Sequence, residues 1–195
     1  MLKIGLTGNM GSGKSLVAEL FRKLGIAVYS ADLEARRILQ QEEMKDRIRD
    51  LFGEAVFNGE QVDRKLLAGV VFGNEEKLGL LNALIHPLVR MDFIAWAGSR
   101  EHEPYVILEA AILFESGFHE MCDKVILVRA PEEIMIRRVM ARDGVTAEEV
   151  KRRLARQWPA GEKAKMADIV IDNDGTTLLL PRVLGIHETL FKQAG

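Results

Sequence analysis

The 195-residue chain has a single cysteine, Cys122, so no disulfide can form within it and no cysteine-based metal centre can be built. Its four histidines, His86, His102, His119 and His187, lie far apart and show no metal-ligand spacing. Lysine and arginine number 27 against 29 aspartate and glutamate, a formal net charge of -2. The basic excess of a general nucleic-acid binder is therefore missing. No uninterrupted apolar run reaches the length of a membrane-spanning helix. The first apolar stretch is broken by Gly5 and Gly8 and does not read as a secretory signal. Internal repeats, low-complexity tracts and long linkers are also lacking. The remaining composition, 48% hydrophobic and 29% charged, fits a soluble globular protein in a reducing, cytoplasmic setting. The length suits one domain with an insertion better than two equal domains.

Against these absences one motif stands out. Gly8-Asn9-Met10-Gly11-Ser12-Gly13-Lys14-Ser15 fits the G-x-x-x-x-G-K-[ST] pattern of a phosphate-binding loop. A short apolar run precedes it as a strand. Val17, Leu20, Phe21 and Leu24 follow on one helical face. Glycines let the main chain curl closely around phosphate oxygens. The curl turns N–H groups inward, and the helix adds its positive end. Lys14 is then placed for the β/γ-phosphates and Ser15 for Mg²⁺. The competing reading is a glycine-rich turn that caps a helix.

Further apolar runs fall at residues 2–6, 26–29, 105–108, 124–128 and 169–171. They are apolar on both faces, as parallel strands covered by helices on each side must be. The expected fold is α/β: three layers around a five-stranded parallel sheet, with the phosphate loop after the first strand. The long gap between strands two and three reads as helix. Met44, Ile48 and Leu51 form one stripe, closed by Gly53. Asp63 can cap a second, with Leu66, Leu67, Val70 and Val71. Leu78, Leu81, Leu84 and Ile85 form a third, which Pro87 should interrupt before Leu88, Met91, Ile94 and Ala95 resume it. A crossover needs only one helix, so residues 32–103 are expected to be an insertion that holds a phosphoryl acceptor. Residues 1–31 and 104–195 would form the nucleotide-binding core.

Residues 137–157 carry Arg137, Arg138, Arg142, Lys151, Arg152, Arg153 and Arg156. Asp143-Gly144 supplies a turn, and Thr146 and Glu149 have capping-box spacing. The expectation is an arginine-rich lid. A solvated face, with Glu148 and Glu149 paired to Arg152 and Arg153, is the plainer reading.

Asp32 follows strand two and is a candidate general base for an acceptor hydroxyl; it could equally cap the next helix. Arg36, four residues on, could bind an acceptor phosphate or pair with Asp32. Glu109 ends strand three, where an acidic residue commonly anchors Mg²⁺, although it could simply be an exposed strand end; Glu115 is a weaker candidate there. His86 precedes Pro87, which should open a kink and turn the imidazole toward a pocket, although a lone histidine is more often structural. Asn173 follows the last strand and could read an adenine edge, but Asn173-Asp174-Gly175 is also a strong turn signal.

Taken in order, these motifs resemble the dephospho-coenzyme A kinase family over nearly the whole chain. The likeness rests on the phosphate loop, Ala31-Asp32 with Arg36, Asp63-Arg64, Phe72, Leu81-Asn82 and His86-Pro87. It continues through Leu113-Phe114-Glu115, Arg138, Met140, Arg142-Asp143, Arg153, Gln157, Ala167-Asp168 and Ile171-Asp172-Asn173. The resemblance implies transfer of phosphate from ATP to the ribose 3′-hydroxyl of dephospho-coenzyme A, with Mg²⁺. By motif position Asp32 is the base, Lys14 the phosphate lysine and Arg142 a lid arginine, while Arg36 and His86 contact the acceptor. Gly11, Ser12, Gly13, Lys14, Ser15, Leu16 and Asn173 would hold the nucleotide; Ser15 and Glu109 would hold the metal. Five positions depart from the family pattern. Asn9 stands for a usual Gly, Leu16 for a Thr, Ser30 for an Asp, Ala111 for a Pro and Met135 for a Gln.

Three competitors remain at this level. A kinase of the same fold could use a nucleoside monophosphate or another small hydroxyl acceptor. A GTP-binding switch would need an Asn-Lys-x-Asp guanine reader, and none exists. A non-catalytic nucleotide binder would leave the insertion unexplained. The partner expected is a small molecule rather than nucleic acid or a membrane, and nothing in the sequence specifies an oligomeric state.

Overall fold

A computed structural model describes residues 1–71 and 73–194; Phe72 and Gly195 lie outside the described residues. The chain divides into two compact units. One comprises residues 1–30 and 96–195, the other residues 31–95.

The larger unit is built on five parallel strands: β1 (Leu2–Thr7), β2 (Val28–Ser30), β5 (Tyr105–Glu109), β6 (Lys124–Arg129) and β7 (Ile169–Asp172). Their order is β2-β5-β1-β6-β7, so β1 is central and carries the phosphate loop at its end. Leu6 stands opposite Glu109 in the register of β1 with β5, and Ser30 opposite the same Glu109 in that of β2 with β5. The second strand is shorter than its apolar run, beginning at Val28 rather than residue 26; Ile26 is instead part of the buried core.

Helices α1 (Lys14–Lys23) and α9 (Leu179–Ala194) pack together on the core. Val17, Ala18 and Phe21 from α1 and Val183, Ile186 and Leu190 from α9 are buried with Ile4, Leu6, Ile107, Ile126 and Ile171 of the sheet. Apolar runs without alternation are explained by this arrangement, since the central strands β1, β5 and β6 are largely excluded from water on both faces. After β6 come α6 (Glu132–Asp143), α7 (Ala147–Leu154) and α8 (Ala160–Met166). Gly144, at φ 67, ends α6 in the left-handed conformation. The capping box at the start of α7 is complete: Glu149 N donates to Thr146 Oγ1, and Thr146 N donates to Glu149 Oε2. That cap occupies Glu149, and Arg153 pairs with Asp143 at 3.6 Å.

The smaller unit holds α2 (Ala31–Ile38), α3 (Glu42–Phe52), α4 (Arg64–Val71) and most of α5 (Glu75–Gly98), with a two-stranded hairpin of β3 (Phe57–Asn58) and β4 (Gln61–Val62). The hairpin loop is Gly59-Glu60. Gly59 has φ 61, and no described non-glycine residue has positive φ, which is the signature of a II′ turn. Asp63 caps α4 by accepting from Lys65 N and Leu66 N.

Pro87 does not interrupt the third stripe. Helix α5 runs through it for 24 residues. One proline removes a single N–H donor and crowds the carbonyl four residues back. Here the helix is held by burial on both sides of that point: Leu81, Ile85, Val89, Phe93 and Ala97 form one unbroken buried stripe. Of the residues expected to face inward after Pro87, Met91 is 66% and Ile94 57% exposed. By length and composition α5 is also apolar enough to cross a membrane, although it carries Arg90 and Asp92.

Candidate active site

The phosphate loop owes its form to three glycines. A Cβ on Gly8 would collide with the carbonyl oxygen of Val128. Gly11 and Gly13 have φ of 80 and 94, where L side chains are strained. Ser12 N donates to the carbonyl of Asn9 at 3.0 Å and closes the loop. Gly13 is the N-cap of α1 and supplies no side chain, leaving the helix start open to an anion.

Lys14 and Glu109 meet across this loop. Lys14 Nζ lies 2.7 Å from Glu109 Oε1, and both residues are buried. Ser15 Oγ is 3.4 Å from the same carboxylate oxygen, and Arg22 approaches the other oxygen at 3.8 Å. Ser15 and Glu109 thus bring two hard oxygen donors together. This fits Mg²⁺, which takes few protein ligands and completes its shell with phosphate and water. No group of three or more acidic, His or Cys side chains exists among the described residues for a metal caged wholly by protein.

Asn173, buried at the end of β7, braces the loop. Its Nδ2 donates to Ser12 O at 2.7 Å. Arg138, on α6, donates to Asn173 Oδ1 at 3.3 Å and to the carbonyl of Gly11 at 3.4 Å. With both ends of its amide engaged inside the protein, Asn173 serves here as a support for Ser12. Asp174 makes the following turn, accepting from Thr176 N and Thr177 N, which hold its carboxyl down at about 2. Arg138 belonged to the arginine cluster in the sequence, but only the fold shows that it reaches the glycine-rich loop. Arg142, one turn further, is exposed and gripped by its neighbour Asp143 at 2.7 and 3.0 Å, which raises the Arg142 pKa. Leu16 is 54% exposed; its hydrocarbon side chain has no hydrogen-bonding group, so only its main chain can donate to a phosphate. A cavity of about 540 Å³ opens beside Asn9, lined by Met135, Lys151, Leu154 and Gln157.

The loop after β5 carries a second buried ion pair that the sequence did not disclose. Lys163, fully buried on α8, sits 2.8 Å from Glu115 and donates to Ala111 O at 3.1 Å. Burial lowers the Lys163 pKa, and the Glu115 carboxylate opposes that shift. Glu115 therefore has a structural partner rather than an open position.

In the smaller unit, Asp32 is the second residue of α2 and is exposed, as is Arg36 one turn on. It lies inside the first turn, past the capping position. Arg64, at the start of α4, feels both. Its pKa is lowered by burial and by the positive charge of Arg36, while Asp32 acts the other way. Two guanidinium groups and a carboxylate so share one neighbourhood. His86 is half-buried on α5; burial, then Arg90, lowers its pKa and favours the neutral ring.

Comparison with known proteins places the chain in a family. The dephospho-CoA kinase family model matches residues 2–178. The dephospho-CoA kinase of Geobacillus kaustophilus is 43% identical, with 90% of this chain and 89% of the relative covered. That of Chlorobium chlorochromatii is 41% identical over 99% of this chain and 95% of the relative. The crystal structure of TT1252 from Thermus thermophilus, 41% identical, matches with a TM-score of 0.87 over 96% of each chain. A dephospho-CoA kinase from Campylobacter jejuni, 28% identical, matches at 0.73 over 99% of this chain and 98% of that one. At 15% identity, a shikimate kinase from Acinetobacter baumannii matches at 0.55 over 99% of this chain and 94% of the other, a likeness of fold alone. With a family model spanning the phosphate loop, the helical unit and the arginine-rich segment, the chain belongs to the dephospho-CoA kinase family.

Proposed function

We propose that this chain transfers the γ-phosphoryl group of ATP to the ribose 3′-hydroxyl of dephospho-coenzyme A, giving coenzyme A and ADP as the last step of coenzyme A synthesis. The observation that carries this reading is the family match over residues 2–178, which takes in both the phosphate loop and the helical unit. An acceptor larger than water explains why a phosphate-loop fold carries that unit.

Phosphoryl transfer demands positioning and charge neutralisation more than covalent chemistry. The main chain of Gly11, Ser12, Gly13, Lys14, Ser15 and Leu16 wraps the phosphates. Lys14 leaves Glu109 for the β/γ-oxygens. Arg138 and Asn173 keep the loop in shape from behind. Ser15 and Glu109 would hold Mg²⁺, which when bound offsets charge on the transferring group.

Asp32 acts as the base that accepts the proton of the acceptor hydroxyl. Arg36 and Arg64 supply positive charge for the acceptor's diphosphate, and His86 contributes a neutral ring to acceptor binding. Residues 32–103 serve as the acceptor unit. Residues 137–157 serve as the lid, with Arg142 exchanging Asp143 for phosphate as it closes and water is excluded. A requirement for ATP fits the cytoplasm, where that nucleotide is maintained.

The test is a comparison of acceptors. Dephospho-coenzyme A should gain one phosphate, located on the 3′-oxygen by mass spectrometry and nuclease sensitivity. Nucleoside monophosphates and shikimate should gain none. Preferential phosphorylation of one of those compounds would replace this reading.

A further inference from the structure

Two neighbours at the foot of the arginine-rich segment grip the front of the phosphate loop. Gln157 Oε1 accepts a hydrogen bond from Met10 N at 2.9 Å. The Trp158 carbonyl accepts one from Asn9 Nδ2 at 3.0 Å. Each spans about three quarters of the chain in sequence, and each ends on a residue immediately before the glycine-rich turn.

The foot is itself held fast. Trp158 N donates to Glu115 Oε1 at 2.9 Å, and Glu115 is the partner of the fully buried Lys163. Lys163 also reaches Ala111 O, so the loop after β5 closes the circuit. A buried ion pair with one partner removed is strongly unfavourable, which makes Glu115 a firm anchor for Trp158.

The Asn9 amide has its orientation set by this contact. A carbonyl only accepts, so the NH₂ side must face Trp158. Asn9 Oδ1 is left buried with no partner among the described residues. A polar atom stranded in this way is costly, and the contact with Trp158 persists despite it.

We infer that Gln157 is a positioning residue for the phosphate loop. Its amide carbonyl fixes the Met10 main chain, and with the Trp158–Asn9 bond it joins the loop and the lid foot into one mechanical piece. A loop with glycine at positions 8, 11 and 13 loses much conformational freedom when it closes on a ligand. Fixing Met10 beforehand removes part of that loss, and the gain appears as nucleotide affinity. Leu154 and Lys151, which line the cavity beside Asn9, are set in register with the loop by the same clip.

This inference rests on the reading that the loop binds ATP, and the test separates the two. ATP binding is measured without acceptor, alongside amide hydrogen exchange at Met10, in wild type, Gln157→Ala, Gln157→Glu and Asn9→Gly. The wild type should bind ATP and protect Met10. Gln157→Ala should expose the Met10 amide, with exchange at least about tenfold faster, and weaken ATP about fivefold to tenfold. Gln157→Glu keeps an acceptor oxygen and should restore Met10 protection, which a merely space-filling role would not do. Asn9→Gly removes only the second bond, the one accepted by the Trp158 carbonyl, and should speed exchange at the Met10 amide severalfold, because the two bonds share one foot. It also keeps the question answerable if Gln157→Ala fails to fold. Wild-type protein that binds no ATP would defeat the functional reading. ATP affinity within twofold of wild type in Gln157→Ala with Met10 still protected, equal loss of Met10 protection in the Ala and Glu variants, or unchanged Met10 exchange in Asn9→Gly would each overturn the inference.

Discussion

Lys14 Nζ stands 2.7 Å from Glu109 Oε1, with both side chains buried beneath the phosphate loop. Without nucleotide this carboxylate satisfies a charge that could not otherwise be left buried. On the proposed reading the same lysine turns to phosphate when nucleotide binds. Glu109 would then compete with ATP for Lys14 and add a negative charge close to a polyanion.

Glu109→Gln should separate these roles. In metal-free buffer the variant should bind ATP more tightly than wild type, by about threefold to tenfold, because competition and repulsion are both reduced. With Mg²⁺ present the advantage should vanish or reverse, because the proposed metal contact would be lost. Calorimetric titration of each protein with and without Mg²⁺ measures both. Equal affinities in all four titrations would remove Glu109 from the nucleotide site.

Asp32→Asn tests the base. The substitution keeps size and hydrogen bonding but cannot take a proton. ATP affinity should stay near wild type, while turnover falls about a hundredfold or more, the usual scale of general-base catalysis. Turnover within twofold of wild type would assign the proton to another group.

Arg138 and Arg142 lie one turn apart on α6, yet their partners differ. Arg138 bonds to the Gly11 carbonyl and Asn173, while Arg142 bonds to Asp143. Arg138→Ala should weaken ATP binding several-fold even without acceptor. Arg142→Ala should leave that binding nearly unchanged and lower kcat by tenfold or more. The KM and kcat of the two variants, read side by side, check the division.

His86 gives a pH signature. Its pKa is lowered on folding by burial and by Arg90, so the unfolded chain holds this proton more tightly. The associated stability is complete above the ordinary histidine range near pH 6.5 and drains away as pH falls through the lower folded value. Thermal melting should drop between about pH 7 and pH 5, and His86→Gln should flatten that part of the curve. An identical slope in the variant would place the titration elsewhere.

Much of this fold could be read from residue order, and the exceptions have physical reasons. The phosphate loop was legible because glycine spacing and a lysine at a fixed offset are demanded by the geometry of phosphate. The five strands were legible because parallel strands buried on both faces leave continuous apolar runs. Helix α5 was not, because apolar residues surround it on all sides, so the pattern did not distinguish Met91 and Ile94 from buried Val89 and Phe93. Pro87 then read as a break, although burial on either side carries the helix through it. The hairpin at residues 57–62 passed unread despite Asn58-Gly59, a known turn signal. Lys163 with Glu115, and Arg138 with Asn173, are pairs from distant parts of the chain. Only their spatial meeting separates them from solvated charges.

The central claim is that phosphate leaves ATP here for an alcohol and not for water. Initial ADP production should therefore be followed in one assay with and without dephospho-coenzyme A. The expected result is ADP formation that rises at least about a hundredfold on adding the acceptor, with one coenzyme A formed per ADP. ADP released at the same rate without acceptor, or no coenzyme A in step with it, would contradict the account.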